Sequence, residues 1–301
     1  MRNIFVETLY QEACLNQDLV LITGDLGFQL FDKFSRDLPT QFINMGLTEQ
    51  SMMSIAAGMA SVGKRVFVYS IANFSTIRCL EQIRNDVCYM NNSVVVVSVG
   101  AGFAYGTLGY THHAVEDLAI MRALPNMEVV SPCDRFETEV VTKMITRSAS
   151  PTYLRLGKSG EENLYDSAPD LKFGKFSRLS SGDSGYLFFT GSVGSLALEA
   201  RDTLRRSNKF IEVVSVPFVS SLDETYLQGI NRELPIVVLE EHFKRGGLGA
   251  AFFEKFNELN IRTNIRHVAA TDGDLAMAGS QDYIRMQRGI TLEAILDAFR
   301  T

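Results

Sequence analysis

The chain has 301 residues, which is long for one hydrophobic core and typical of two domains of about 150 residues each. Hydrophobic residues make up 46% and charged residues 21%, a composition that excludes an intrinsically disordered chain. The formal net charge is −6 and no basic run occurs, so we expect neither nucleic acid nor an anionic membrane as a partner.

The N-terminal segment lacks the charged start, apolar run and cleavage site of a secretory signal, and no apolar stretch approaches about 18 residues. We therefore expect a cytoplasmic protein without a membrane span.

The four cysteines are scattered, without a CxxC pair or nearby histidine ligands, and we interpret them as buried free thiols: Cys14, Cys79, Cys88 and Cys133.

In the first half of the chain, short strand-like runs alternate with helical patterns. The first run, Leu19 to Thr23, is continuously apolar, as in a strand buried on both faces. A helix is predicted from Ser51 to a stop at Gly63. The remaining predicted elements are strands at 65–70, 93–99, 127–132 and 151–156 and helices at 76–90, 116–124 and 134–147. This alternation predicts a parallel sheet with helices on both faces.

The second half repeats the same rhythm after a polar segment rich in Ser and Gly. Strands are predicted at 185–190, 211–216 and 235–240, with a helix at 195–206. The fold class is therefore α/β, with two tandem three-layer α/β/α domains and mainly parallel sheets. We predict a first domain at 1–160, a linker at 161–183 and a second domain at 184–301.

A long glycine-rich loop, "VGAGFAYGTLGYTHHAVEDLA", follows the predicted strand at 93–99 and contains His112 and His113. Loops at the carboxyl ends of parallel strands are where α/β proteins bind ligands. A histidine here is a helix-capping or packing residue, or a proton donor to a substrate oxygen. Zinc is not expected, because adjacent histidines on a loop seldom face one metal and no third ligand is near.

Two further residues have both an ordinary and a functional interpretation. Phe74, in "SIANFST", is either a core aromatic or a ring on which a flat ligand stacks. Glu49, in "MGLTEQ", precedes a run of small and apolar residues. It is either a first-turn acid favoured by the helix dipole or a carboxyl group in apolar surroundings that holds a proton against a ligand nitrogen.

Several segments together resemble the C-terminal part of transketolase, namely its pyrimidine-binding and C-terminal domains. They are "MGLTEQSMMSIAAGMASVG", "YSIANFSTIRCLEQIRNDV", "GTLGYTHHAVEDLAIMRALPNMEVVSPCDRFET", "PTYLRLGK" and "VVLEEHFKRGGLG". The resemblance implies a thiamine diphosphate enzyme in which Glu49 hydrogen-bonds N1′ of the aminopyrimidine and so helps to generate the nucleophilic carbon. It further implies that Phe74 stacks on the pyrimidine, that His112 faces substrate oxygens, and that Asp25 lies near the cofactor.

The chain also departs from full-length transketolases. It lacks their GDG motif with a downstream Asn, which holds magnesium and the diphosphate. The resemblance therefore implies one half of a split transketolase, with no metal ligand of its own and an N-terminal partner subunit in a 2 + 2 heterotetramer. The isolated chain is expected to self-associate into a homodimer through its apolar helices.

The expected substrate residues also differ from the family pattern. Leu108 replaces an Asp that contacts a sugar hydroxyl, Gly100 replaces a phosphate-binding His, and the Phe28–Gln29 region lacks a Ser. Of the residues that bind the substrate phosphate in the family, Lys158 and Arg2 remain. His113 is a further candidate for substrate contact beside His112. These differences predict a specialised sugar substrate.

Three functions are open at this point. The first is the pyrimidine-domain subunit of a transketolase that transfers a two-carbon ketol unit between sugars. The second is the β-subunit of a 2-oxo acid dehydrogenase E1 component, which shares the two-domain plan. The third is a non-catalytic regulatory subunit, against which the joint presence of Glu49, Phe74 and His112 argues.

Overall fold

A computed structural model describes residues 1–300 and contains two mainly parallel β-sheets, in agreement with the predicted fold class. Thr301, the end of the predicted second domain, lies outside the described residues. The first sheet has the order β2-β1-β3-β4-β6-β5, with all neighbouring strands parallel. Its strands are β1 (Leu19–Thr23), β2 (Phe42–Asn44), β3 (Arg65–Ile71), β4 (Val94–Val99), β5 (Glu128–Val130) and β6 (Thr152–Leu156).

The central strands of this sheet are buried on both faces, as their continuous apolar sequences predict. Helices cover the two faces, and Asp134 caps the last of them by accepting a hydrogen bond from the Glu137 amide. The helices are α1 (Arg2–Leu15), α2 (Asp32–Asp37), α3 (Glu49–Ser61), α4 (Ala72–Ser75), α5 (Leu80–Gln82), α6 (Asp117–Arg122) and α7 (Arg135–Thr146).

The region predicted as one helix at 76–90 is instead divided into several short elements. After α4, a 3₁₀ turn at Ile77–Cys79 leads into α5 and then into a π-helix at Ile83–Tyr89. The Thr76 hydroxyl donates to the Ala72 carbonyl at 2.6 Å, and Thr76 leaves the helical region with φ −107° and ψ −81°. After this break the 3₁₀ turn lies beside α3, where the Gln50 side chain donates to the Arg78 carbonyl.

The second sheet has the order β11-β10-β8-β9-β7. Its strands are β7 (Ser177–Ser180), β8 (Tyr186–Phe189), β9 (Glu212–Ser215), β10 (Ile236–Phe243) and β11 (Ile265–Ala270). The helices of this half are α8 (Gly194–Arg206), α9 (Glu224–Gln228), α10 (Leu248–Glu258), α11 (Gln281–Gln287) and α12 (Leu292–Ala298).

The segment 161–183, predicted as a linker, contributes β7 to this second sheet. The strand pairs antiparallel with β9 at the sheet edge. Its sequence "SRLS" is polar because an edge strand is only partly covered, so no apolar run marks it. The end of the predicted linker therefore belongs structurally to the second half.

Arg155, near the carboxyl end of β6, joins the two halves. Its guanidinium bonds the Asp117 carboxylate at 2.7 Å and 3.2 Å, the Ala114 carbonyl at 2.8 Å and the Glu241 carbonyl at 3.0 Å. The Arg155 side chain is 1% exposed and that of Asp117 is fully buried. Tyr153 adds a further donor to Asp117 at 2.6 Å. A buried ion pair with this many hydrogen bonds has its desolvation well compensated.

The structure also describes the length of the helices and the state of the cysteines. Within residues 1–300 no helix is both long enough and apolar enough to cross a membrane. The four cysteines are free, and three of them are buried as predicted; the prediction is wrong for Cys14, which is exposed near the end of α1. Burial raises the pKa of the Cys79 and Cys88 thiols to about 12.

We predict that Arg155→Met lowers the free energy of unfolding by about 3–5 kcal/mol, because it leaves the Asp117 carboxylate buried without its partner. Urea denaturation followed by circular dichroism measures this change. The control is Arg36→Met, since Arg36 is 71% exposed and pairs with the adjacent Asp37; its effect should stay within about 0.5 kcal/mol. Equal stability of the two variants would contradict the proposed importance of the buried pair.

Candidate active site

Glu49 is the first residue of α3, and its carboxylate is buried, with 4% exposure. Its Oε2 accepts a hydrogen bond from Arg78 Nη1 at 2.9 Å. The position at a helix N-terminus suits an acid, and the burial distinguishes it from an ordinary surface acid. The position in the first helical turn is therefore observed, while the role of Glu49 toward a ligand nitrogen stays a prediction.

Phe74 lies in α4, at the carboxyl end of β3, and is only partly buried. The Arg78 guanidinium carbon is 4.3 Å from its ring centroid. The His112 ring meets Phe74 edge-on, with centroids 5.2 Å apart and an interplanar angle of 67°. The structure thus brings Glu49, Phe74 and His112 together, with Arg78 between the first two.

His112 is held by two short 3₁₀ turns, Gly106–Leu108 and Tyr110–His112, which meet at Gly109. Gly109 has φ +78°, a backbone conformation that favours glycine. The Asn73 side chain donates to the carbonyls of Thr111 at 3.0 Å and His113 at 2.9 Å, on either side of His112. The residue beside Phe74 therefore fixes the backbone that carries His112.

His113 differs from its neighbour, because it is buried, with 2% exposure. Its Nε2 lies 3.2 Å from the Gly106 carbonyl oxygen, and its ring packs edge-on against Phe103. This geometry suits a residue that supports the loop from inside. The predicted substrate role of His113 stays a prediction that this environment does not favour.

The other predicted site residues lie around this cluster. Asp25 follows β1 with φ +58°, and its backbone amide donates to Asn44 Oδ1 at 2.9 Å. Lys158 follows β6, and its ammonium is 5.5 Å from the Tyr105 ring centroid. The ring centroids of Tyr105 and His112 are 6.5 Å apart, so the Tyr105 ring is a neighbour of both Lys158 and His112.

Leu108 is 55% exposed on the same loop as His112, so it faces solvent in the unassembled chain. Gly100 has φ +93°, and a Cβ there would lie 2.2 Å from the Tyr105 ring, which explains why no larger residue occupies this position. Burial raises the pKa of the Tyr105 hydroxyl, and the nearby charge of Arg2, at the start of α1, opposes part of this shift.

Sequence reasoning missed Arg78 and Asn73. Arg78 contacts Glu49 across 29 positions of the chain, and no spacing rule connects two such residues. The spacing of four residues between Phe74 and Arg78 gives no signal either, because the helix breaks at Thr76 between them. For Asn73 no signal was available, since its partners are main-chain carbonyls of another loop.

Comparison with known proteins identifies the family. The family model described as the transketolase pyrimidine binding domain matches residues 1–161, more than half of the chain. The chain belongs to the transketolase family. A second model, the transketolase C-terminal domain, matches residues 174–295. The resemblance inferred from the sequence is thereby confirmed.

Individual relatives agree with this assignment. The chain is 34% identical over 268 residues to one subunit of the apulose-4-phosphate transketolase of Phocaeicola vulgatus, a match that covers 88% of this chain and 86% of that protein. It is 29% identical over 300 residues to the 6-deoxy-6-sulfo-D-fructose transketolase subunit SqwH of a Clostridium species, covering 99% of this chain and 92% of that protein. These transketolase relatives favour the first of the three functions over the 2-oxo acid dehydrogenase alternative.

Solved structures show the same fold. A split gene transketolase, described as an inactive beta4 tetramer, superposes with a TM-score of 0.91 at 30% identity, covering 99% of this chain and 96% of that one. The transketolase of Leishmania mexicana superposes with a TM-score of 0.81 at 23% identity. That likeness covers 99% of this chain and 44% of the Leishmania protein, and shows the fold alone.

The observed side chains fit the aminopyrimidine end of thiamine diphosphate. The Glu49 carboxylate bonds Arg78 through Oε2, which leaves Oε1 to accept from a ring nitrogen. The partly exposed Phe74 ring offers an aromatic surface beside this carboxylate. Within residues 1–300, no group of three His, Cys, Asp or Glu side chains is arranged to hold a metal ion.

We predict that the imidazole of His112 titrates below its ordinary pKa of 6.5, because burial, and next the neighbouring His113, lower that pKa. The neutral ring then predominates at neutral pH, with a nitrogen able to accept a proton, and charges only as the pH falls further. NMR titration of the isolated chain measures the midpoint, with the resonance assigned by its loss in His112→Asn. A midpoint at or above 6.5 would contradict this electrostatic environment.

Proposed function

We propose that this chain is the pyrimidine-domain subunit of a two-chain, thiamine diphosphate-dependent transketolase that moves a two-carbon ketol unit between sugars. The observation that carries the proposal is the meeting of Glu49, Phe74 and His112 at the carboxyl-terminal edge of the first sheet. Ligands of parallel α/β sheets bind at that edge. Two relatives that match nearly end to end are themselves named as transketolase subunits, which supports the two-chain organisation.

In this proposal each residue has a distinct role. When bound, thiamine diphosphate supplies the nucleophilic carbon on which ketol transfer depends. Glu49 exchanges a proton with N1′ of the pyrimidine through a hydrogen bond shielded from water by the burial of its carboxylate. Phe74 orients the ring by stacking, and neutral His112 takes a proton from a substrate hydroxyl or returns it. Asp25 completes the cofactor surroundings from the loop after β1.

The partner subunit supplies the diphosphate end of the site in this proposal. A diphosphate carries several negative charges, which need Mg²⁺ and amide donors for tight binding. We propose a cytoplasmic 2 + 2 heterotetramer with an N-terminal transketolase subunit. The exposed apolar residues Leu47, Ile55 and Val62, which lie before, within and directly after α3, support self-association of this chain at the centre of that assembly.

The substrate is proposed to be a specialised sugar. Two relatives are named for apulose 4-phosphate and 6-deoxy-6-sulfo-D-fructose, which are both unusual sugars. Leu108 presents an apolar surface beside His112, and Lys158 contributes a positive charge on the far side of Tyr105. These two residues suit a sugar with an anionic end and without a hydroxyl at the Leu108 side.

We predict that the isolated chain binds thiamine diphosphate and Mg²⁺ weakly or not at all, and that adding the partner subunit restores tight binding. The reason is that this chain offers side chains to the pyrimidine end only. Isothermal titration calorimetry on the chain, the partner and their mixture measures the difference. Tight binding with full turnover by this chain alone would overturn the two-chain proposal.

We predict that Glu49→Gln lowers kcat of the assembled enzyme by roughly 100-fold or more, because an amide cannot exchange the proton with N1′. Folding should be unaffected, since the amide oxygen can still accept from Arg78. Glu81→Gln in the neighbouring helix α5 is the matched control and should retain full activity. Unchanged turnover of Glu49→Gln would remove Glu49 from the mechanism.

A further inference from the structure

Arg78 contacts both residues that the proposed function assigns to the pyrimidine ring. Its Nη1 donates to Glu49 Oε2 at 2.9 Å, and its guanidinium carbon lies 4.3 Å from the Phe74 ring centroid. A planar guanidinium can form a directed hydrogen bond and stack on an aromatic face at the same time. One side chain therefore fixes the carboxylate and the ring relative to each other.

The Glu49 carboxylate needs this neighbour for a physical reason. A carboxylate that is 4% exposed has lost most of its hydration, and an unpaired buried charge destabilises a protein strongly. Arg78 is the ion-pair partner of Glu49 within residues 1–300, and its own side chain is 46% exposed. The arginine keeps part of its hydration while it compensates the buried acid.

The backbone of Arg78 is also attached to α3. The Gln50 side-chain amide donates to the Arg78 carbonyl at 3.1 Å, one residue along the helix from Glu49. The Cys79 thiol donates to the Phe74 carbonyl at 3.2 Å and closes the turn that carries Arg78. The 3₁₀ turn at Ile77–Cys79 is thus joined to α3 through both the main chain and the side chain of Arg78.

We propose that Arg78 is a positioning residue that holds Glu49 and Phe74 in the arrangement that receives the aminopyrimidine of thiamine diphosphate. This role rests on the proposed function. The guanidinium takes Glu49 Oε2, so that Oε1 faces N1′, and it supports one face of Phe74 while the pyrimidine stacks on the other. Arg78 therefore acts on cofactor affinity through Glu49, without touching the reacting atoms.

The experiment compares three variants of the assembled two-chain enzyme: Arg78→Met, Arg78→Lys and the control Arg84→Met. Arg84 lies in the π-helix that follows and bonds the adjacent Asn85. Calorimetry with thiamine diphosphate and Mg²⁺ should give a Kd raised roughly tenfold or more for Arg78→Met, the effect expected for one charge-assisted hydrogen bond. The Kd of Arg78→Lys should lie between those of Arg78→Met and the unsubstituted enzyme, because lysine keeps the positive charge but lacks the planar guanidinium. Arg84→Met should match the unsubstituted enzyme.

A second ligand separates positioning from general damage to the fold. It is an analogue of thiamine diphosphate with a C–H group in place of N1′, which cannot hydrogen-bond Glu49. If Arg78 acts through Glu49, Arg78→Met should weaken binding of thiamine diphosphate much more than binding of this analogue. Melting temperatures of the variants show whether they are folded, and Arg78→Lys decides the question if Arg78→Met is not.

An equal or lower Kd for thiamine diphosphate in Arg78→Met would overturn the positioning role, because the guanidinium would then contribute nothing to cofactor affinity. Equal weakening of both ligands would also overturn it. Failure of the proposed function itself would give another result. The unsubstituted two-chain enzyme would then not bind thiamine diphosphate at all, and the proposed role of Arg78 would also be wrong.

Discussion

The buried guanidinium of Arg155 is the contact on which the arrangement of the molecule depends. It projects from β6 and bonds Asp117 at the start of α6 and the Glu241 carbonyl in the second sheet. It also bonds the Ala114 carbonyl at the end of the glycine-rich loop that carries His112, called the histidine loop below. Three parts of the chain, namely residues 114–117, β6 and β10, therefore meet at one charge. Because each bond is formed without water, a small displacement of any segment would leave a buried polar group unpaired.

The second half of the chain supports the histidine loop directly. The Glu241 carboxylate accepts from the Phe103 amide at 2.6 Å, and it is itself held by Gln281 and Arg285 of α11. A Cβ on Gly106 would lie 2.6 Å from the Gly279 carbonyl oxygen, so the loop and the second half approach closely, backbone to backbone. The C-terminal half, which supplies none of the three central side chains, is thus part of the scaffold that positions the catalytic histidine of the proposal.

Much of the fold was accessible from sequence, because strands buried on both faces must be continuously apolar, as the run Leu19–Thr23 is. The edge strand Ser177–Ser180 was not, since an edge strand needs little apolar surface and its sequence is typical of a loop. The same limit applies to the site. Its three central side chains could be proposed because family motifs surround them. The contacts of Arg78 depend on how α3 and the Ile77–Cys79 turn pack, which no local pattern specifies.

The region around α3 contains a buried charge and an exposed apolar surface, which affect folding and association differently. Glu49 carries a buried charge, yet its compensation comes from Arg78 of the same chain, so folding of this half-site requires neither cofactor nor partner. The apolar side chains of Leu47, Ile55 and Val62 have no such cover within residues 1–300, and their exposure to water is unfavourable as long as the chain is alone. The charge of Glu49 is therefore compensated within one subunit, while in the proposed assembly the hydrophobic surface beside α3 favours association. A subunit of the proposed assembly needs both properties, because it must fold before assembly and still associate with a second copy of itself.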